Sequence, residues 1–206
     1  MRISRSEVSQ RARFDFVTIT LHWLTVILIA FQAASGLTLE FAQVPIPTRP
    51  LLDLHRSVGT MVFGAVTARI VWRSTFAEFP PFPAWMSGVQ KGIATKTEYV
   101  LYALLLLQPM TGLMTTLLLG KPFHLLFWTV PAVLPRNMDL WQSVLAVHRI
   151  GAYSLFTVIA GHAGMALLHH YVFRDEVLQR MAPWVRQKRP RLVVIHSPST
   201  TKAVEI

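Results

Sequence analysis

Three long stretches without a charged side chain constrain this chain more than any other feature: Phe16–Leu39, Tyr99–Gly120 and Ile150–Phe173. They are bounded by Asp15 and Glu40, by Glu98 and Lys121, and by Arg149 and Arg174. Each exceeds the roughly 20 residues that cross about 30 Å of hydrocarbon as a helix. Hydrocarbon offers the backbone no hydrogen-bond partner, so such segments satisfy their own N–H and C=O groups by coiling into α-helix. A fourth, weaker span runs from about His55 to Trp72, with Arg56 at one end and Arg69 inside it. The expectation is an all-α membrane protein, a four-transmembrane-helix bundle with helices at about 16–39, 52–73, 98–120 and 144–173. The composition agrees, since 52% of the residues are hydrophobic and only 15% charged, well away from the soluble average. We find no repeat and no separate soluble domain.

The connections set the orientation. Val44–Pro50 reads as a short outer loop, and Glu78–Lys96, with Pro80, Pro81, Pro83 and two glycines, as an inner connection. Lys121–Leu140 is a long apolar outer connection whose Trp128 and Trp141 suit the membrane interface. Pro109 and Gly112 inside the third helix imply a kink or close packing rather than a break. With both termini cytoplasmic, fifteen Lys and Arg fall inside and only Arg49, Arg56, Lys121, Arg136 and Arg149 outside, a clear positive-inside bias. The net charge of +10 is therefore explained by topology and contact with lipid headgroups rather than by nucleic acid. No small-residue cleavage site follows the first apolar run, so it is expected to be a retained helix.

Four histidines lie near the ends of these spans: His22, His55, His148 and His162. An ionisable side chain in a bilayer is expensive unless it has a function, and a neutral imidazole is a good axial ligand for haem iron. His148 and His162 are 14 residues apart, roughly 21 Å along a helix and close to four turns. They face much the same way at two depths. His55 and His148 both begin inward-running helices and suit an outer haem; His22 and His162 suit an inner one. The arrangement reads as two stacked b-type haems. With no cysteine in the chain, thiolate-held iron–sulfur clusters and covalent c-type haem are excluded.

The cations reinforce this reading. His55-Arg56 and His148-Arg149 place a guanidinium beside each outer histidine, where haem propionates need partners. Arg69 lies 14 residues from His55, at inner depth, as a candidate for a propionate or a quinone. Gly59, Gly64, Gly151, Gly161 and Gly164 offer surfaces for helix packing or for a flat macrocycle. His169, seven residues after His162, is a candidate for inner ligation or for contact with propionate or quinone. His170 and His124 read as interface or surface residues, and His196 is given no role. The bland alternatives are hydrogen bonding across a bundle for a single histidine, and interface anchoring for Arg56 and Arg149.

The run FDFVTITLHW (Phe14–Trp23), the His55-Arg56-x-x-Gly59 start of the second helix, Gln108-Pro109-x-x-Gly112, and above all GHAGMALLHHYVFRDEVLQRMAP (Gly161–Pro183) resemble the bacterial cytochrome b561 family. The resemblance covers the chain from about Phe14 to Pro183. It implies a four-helix di-haem cytochrome b domain, placed at 1–181, and the residues that follow, 182–206, read by themselves as a basic cytoplasmic tail. It also implies two haem b held by His22, His55, His148 and His162 in the bacterial inner membrane. Some members oxidise superoxide at the periplasmic face and reduce ubiquinone. Here that reaction implies Arg56, Arg149 and Lys121, with His124, as a positive outer mouth for the anion. It also implies titratable groups such as His169 or Asp175 where the quinone takes up protons. No obligatory protein partner is expected under this reading. Two alternatives stand beside it: a cytochrome b subunit carrying electrons from a hydrogenase- or dehydrogenase-type partner to quinone, and a non-redox metal transporter or membrane scaffold.

Overall fold

The computed structural model describes residues 13–41, 48–83 and 85–185. Helix α1 spans Phe16–Phe41, α2 Thr48–Thr75, α3 Gly88–Leu117 and α4 Met138–Leu168. A π-helical turn, His169–Phe173, continues α4, and the short α5 covers Val177–Met181. Strands β1 (Phe123–Leu125) and β2 (Trp128–Val130) form an antiparallel hairpin between α3 and α4, with Phe123 opposite Val130 and Leu125 opposite Trp128. The expected N-terminal arginines Arg2, Arg5 and Arg11, most of the outer loop Val44–Pro50, and the tail from 186 onwards lie outside the described residues.

The helices pack in the order α1–α2–α3–α4. Helix α2 is the most enclosed: Val58, Gly59, Val62, Ala65 and Val66 are buried along one helical stripe. Val62 and Val66 meet Leu105 of α3 and Leu155 of α4 in the central apolar cluster, with Leu28 and Ile29 of α1 packed against it. Away from this seam the surface remains apolar, with Ile27, Leu107, Met110, Ile150 and Met165 exposed. A contiguous apolar exterior of this extent is what hydrocarbon covers. Among the described residues, three helical stretches are long and apolar enough to cross a membrane: Phe16–Phe41, Gly88–Leu117 and Met138–Phe173. Helix α2 is long enough, but Arg49, Asp53, Arg56, Arg69 and Arg73 make it markedly more polar.

Several helix ends lie beyond the apolar runs. The third helix, expected from about 98, starts at Gly88. Ser87 Oγ accepts from the Gln90 backbone N–H at 3.2 Å, and the Ser87 N–H donates to Gln90 Oε1 at 2.9 Å, a reciprocal capping box that fixes the start on the polar side. The fourth helix, expected from about 144, starts at Met138, where Asn137 Oδ1 accepts from the Leu140 N–H at 3.0 Å. The second begins at Thr48 instead of about 52. Apolar periodicity marks only the part of a helix that meets lipid, so polar first turns escape it. Helix α3 continues unbroken through Pro109.

At the N-terminal end of α1, Asp15 ties α1 to α2. Its carboxylate accepts from the Thr18 N–H at 2.9 Å, the Thr18 hydroxyl at 2.6 Å and the Trp72 indole at 3.0 Å. Partial burial pushes the Asp15 carboxyl up, but the bonds from Thr18 and Trp72 outweigh it and hold the group below its ordinary value of 3.8. A depressed carboxylate stabilises the fold above that ordinary value and loses the contribution as pH falls below it. Asp15→Ala is expected to cost about 1 kcal/mol, as for other lost caps. Thermal unfolding of the detergent-solubilised protein at neutral pH checks this: the midpoint should drop, and an unchanged midpoint would show that the cap carries no stability.

Candidate functional site

The outer histidines converge. His55 on α2 and His148 on α4 line one cavity of about 410 Å³, and all four long helices contribute to its wall. Apolar residues such as Ile29, Val62, Leu105 and Leu155 form its floor. The volume is within the usual range for a small-molecule site. His55 Nδ1 lies 2.8 Å from Ser35 Oγ of α1, and His148 Nδ1 lies 3.0 Å from Thr111 Oγ1 of α3. Gln108 Nε2 donates to the His148 carbonyl oxygen at 2.7 Å. Gln32 Oε1, on the same wall, is buried and has no hydrogen-bond partner among the described residues.

The two outer arginines border this cavity and are both engaged. Arg56 donates to Asp53 at 3.0 Å and to Thr116 Oγ1 at 3.1 Å, with its guanidinium 5.7 Å from the Phe123 ring centroid. Arg149 pairs with Glu40 at 2.7 Å, linking α4 to α1. Two carboxylates therefore offset the positive rim expected from sequence. Lys121 and His124 are exposed on the connection after α3, and His124 Nδ1 lies 3.0 Å from Thr129 Oγ1. The hairpin is fastened over α2 by the Leu126 N–H, which donates to Ser57 Oγ at 2.8 Å.

The inner group is built differently. Arg69 NH1 donates to His22 Nδ1 at 3.1 Å, and its guanidinium carbon sits 5.4 Å from the Tyr102 ring centroid. His22, Arg69 and His162 are close enough to act on one another electrostatically. Arg69 Nε is buried and has no hydrogen-bond partner among the described residues. His162 is exposed, and a Cβ added at Gly161 or Gly164 would meet nothing within 4 Å, so this part of α4 faces open space. His169 stands apart as a buried residue, its Nδ1 2.5 Å from Asp175 Oδ2 and its ring 5.4 Å from that of Trp85. His170 Nδ1 is buried with no hydrogen-bond partner among the described residues.

These features fit haem. The outer cavity is apolar with two imidazoles on its wall; the inner site offers an unpartnered guanidinium N–H beside two imidazoles, suited to an acidic substituent. Sequence reasoning found the histidines and arginines but missed Gln32, Ser35, Thr111, Asp53 and Glu40. A readable signal existed in the two hydroxyl–glycine pairs, Ser35-Gly36 and Thr111-Gly112, set in otherwise apolar runs.

Beneath the inner group the chain folds back. The Trp23 indole donates to the Met181 carbonyl at 2.7 Å, Trp184 lies 5.1 Å from Trp23, and Arg180 NH1 donates to the Pro81 carbonyl at 2.7 Å. Trp23→Phe removes the first of these bonds while retaining apolar bulk. The variant is expected to expose the segment around Arg174 and Arg180 to trypsin faster than wild type, read by cleavage time course in detergent; equal rates would show that the bond does not hold the segment.

The model of the prokaryotic cytochrome b561 family matches residues 13–184. "Cytochrome b561 homolog 1" of Escherichia coli (strain K12) is 29% identical over 175 residues, covering 83% of this chain and 97% of the relative. "Cytochrome b561 homolog 2" of the same organism is 28% identical over 173 residues, 82% of this chain and 90% of the relative. "Probable superoxide oxidase CybB" of Yersinia pestis is 28% identical over 172 residues, 83% of this chain and 96% of the relative. A match over nearly the whole helical region, with paired histidines on membrane-length helices, makes the chain a bacterial membrane haem b electron-transfer protein, and it belongs to the prokaryotic cytochrome b561 family.

Proposed function

We propose that the chain spans the inner membrane four times with both termini cytoplasmic, holds two haem b, and passes electrons from periplasmic superoxide to ubiquinone. The division into a haem-binding domain at 1–181 and a basic tail at 182–206 belongs to the same proposal. The observation that carries it is the pairing of His55 with His148 around one apolar cavity. The name of the Yersinia pestis relative supports superoxide as donor.

Haem b, when bound, supplies a one-electron couple at each of the two positions. His55 and His148 would hold the outer group and His22 and His162 the inner, and a supply of two imidazoles to each group would favour electron transfer over oxygen binding. Superoxide loses one electron and leaves as dioxygen; ubiquinone takes two electrons and two protons, so two superoxide ions are consumed per quinol. Arg56, Arg149 and Lys121 draw the anion inward, while Asp53 and Glu40 moderate that field. At the inner end, Arg69 offers a donor, and His169 with Asp175 forms a pair able to exchange a proton with the quinone.

The haem count tests the ligand assignment. Purified protein should yield two haems per chain, falling to one in His55→Ala, His148→Ala, His22→Ala or His162→Ala. The first two should lose one spectral component and the last two the other. A wild-type ratio of one, or His169→Ala abolishing the inner component while His162→Ala leaves it low-spin, would overturn the assignment.

Charge variants test the donor. Lys121→Gln should slow superoxide-driven haem reduction, and Glu40→Gln, which releases Arg149, should accelerate it, each by roughly two-fold for one unit charge about 10 Å from the path in water. Both effects should shrink as added salt shortens the Debye length from about 30 Å to about 10 Å, while a neutral donor responds to neither. Stopped-flow rates that ignore salt and both substitutions would remove superoxide as the donor.

A further inference from the structure

The walls behind the two outer histidines share one construction. On α1, Ser35 is followed by Gly36; on α3, Thr111 is followed by Gly112. Each hydroxyl oxygen lies against Nδ1 of an outer imidazole, at 2.8 Å for His55 and 3.0 Å for His148. A Cβ added at Gly36 would lie 3.4 Å from His55 Cε1, and one at Gly112 would lie 3.0 Å from His148 Cε1. The hydroxyl residue holds one ring nitrogen, and the glycine after it leaves room for the adjacent ring edge. Two different helices present the same dipeptide geometry to two histidines of one cavity.

Proton counting assigns the direction of these bonds. A serine or threonine hydroxyl has one proton and can accept at its lone pairs. Ser35 Oγ is 2.9 Å from the Phe31 carbonyl oxygen of its own helix and 2.8 Å from His55 Nδ1. Both contacts are hydrogen bonds at once only if the hydroxyl donates to Phe31 and Nδ1–H donates to Ser35. Thr111 repeats the pattern, with its hydroxyl 2.9 Å from the Gln108 carbonyl and 3.0 Å from His148 Nδ1. Gln108 Nε2 stands 3.2 Å from the same nitrogen and donates to the His148 carbonyl at 2.7 Å; Thr111 is the nearer partner of Nδ1, and with Nδ1–H donating to it the Gln108–Nδ1 approach is not a hydrogen bond. A guanidinium only donates, so the contact between Arg69 and His22 Nδ1 leaves the His22 proton on Nε2, and ligation of the inner haem by Nε2 would require Arg69 to release Nδ1, for instance to a propionate.

We infer that Ser35 and Thr111 are positioning residues for the outer haem: each accepts from Nδ1–H of its histidine, fixes the tautomer with Nε2 available to iron, and strengthens that nitrogen as a donor. The inference rests on the proposal that His55 and His148 ligate the outer haem. A ligand imidazole whose N–H is bound to an acceptor is more basic and favours ferric iron, and losing such a partner typically costs about ten- to a hundred-fold in affinity.

The test uses the full chain in detergent with both haems. Ser35→Ala and Thr111→Val should weaken retention of the outer haem by about ten- to a hundred-fold and shift its midpoint potential upward, leaving the inner haem unchanged. Ser35→Thr and Thr111→Ser should restore both quantities. Ser35→Cys, of similar size but a weaker acceptor, should give an intermediate shift, and it serves if the alanine variant does not fold. Unchanged potential and retention in Ser35→Ala and Thr111→Val, or in Ser35→Cys, would overturn the inference. Failure of the underlying reading is separate: His55→Ala would then retain two haems, or wild type would lack the outer one.

Discussion

An imidazole held in a low-dielectric membrane interior is costly unless its polar nitrogens are occupied, and the rest of this molecule is arranged around that constraint. The hydroxyls of Ser35 and Thr111, the guanidinium of Arg69 and the carboxylate of Asp175 each engage one ring nitrogen of a histidine. Under the proposed ligation, the other nitrogen of His55 and of His148 is the one that meets iron. Helix packing around the outer pair follows from the same need, because Ser35 and Thr111 reach the rings from a neighbouring helix. This is why small residues, Gly36 and Gly112, stand where α1 and α3 pass the histidines.

Helix α2 bears most of the consequences. It carries His55, Arg56 and Arg69 and also the deepest part of the apolar seam at Val62 and Val66. Charged residues confined to its ends and to Arg69 leave the middle free to pack. Asp53 beside Arg56, and Glu40 beside Arg149, prevent the outer rim from becoming an uncompensated positive patch. The Arg73–Glu98 pair does the same between α2 and α3 at the inner side.

The apolar runs made the helices legible, and their spacing in sequence made it legible that His148 and His162 share one helix, because both depend on periods within one helix. Contacts between helices were not readable in the same way. Nothing in the spacing of Ser35 or Thr111 says which ring it meets, since that depends on the rotation of two helices about their axes. Helix starts at Ser87 and Asn137 were missed because capping residues sit in polar segments outside the apolar pattern. The hairpin at Phe123–Val130 was read only as an apolar connection, because three-residue strands leave almost no period to detect. The turn after Leu168 was hidden as well: an α-helix that becomes a π-helix and ends on Arg174 with φ 53° follows from local hydrogen bonding rather than from hydrophobic pattern.

Helix α4 runs without interruption from Met138 to Leu168 and carries both His148 and His162. Its backbone acts as a ruler, with the separation of the two histidines set at roughly 21 Å by covalent geometry and helical rise. Loop motion, hairpin opening or rearrangement of the C-terminal segment leaves that length unaltered. Electron tunnelling falls off exponentially with distance, so under the proposal that each of these histidines holds a haem, a spacing written into one rigid rod would keep the rate between the two ends uniform from molecule to molecule and from moment to moment.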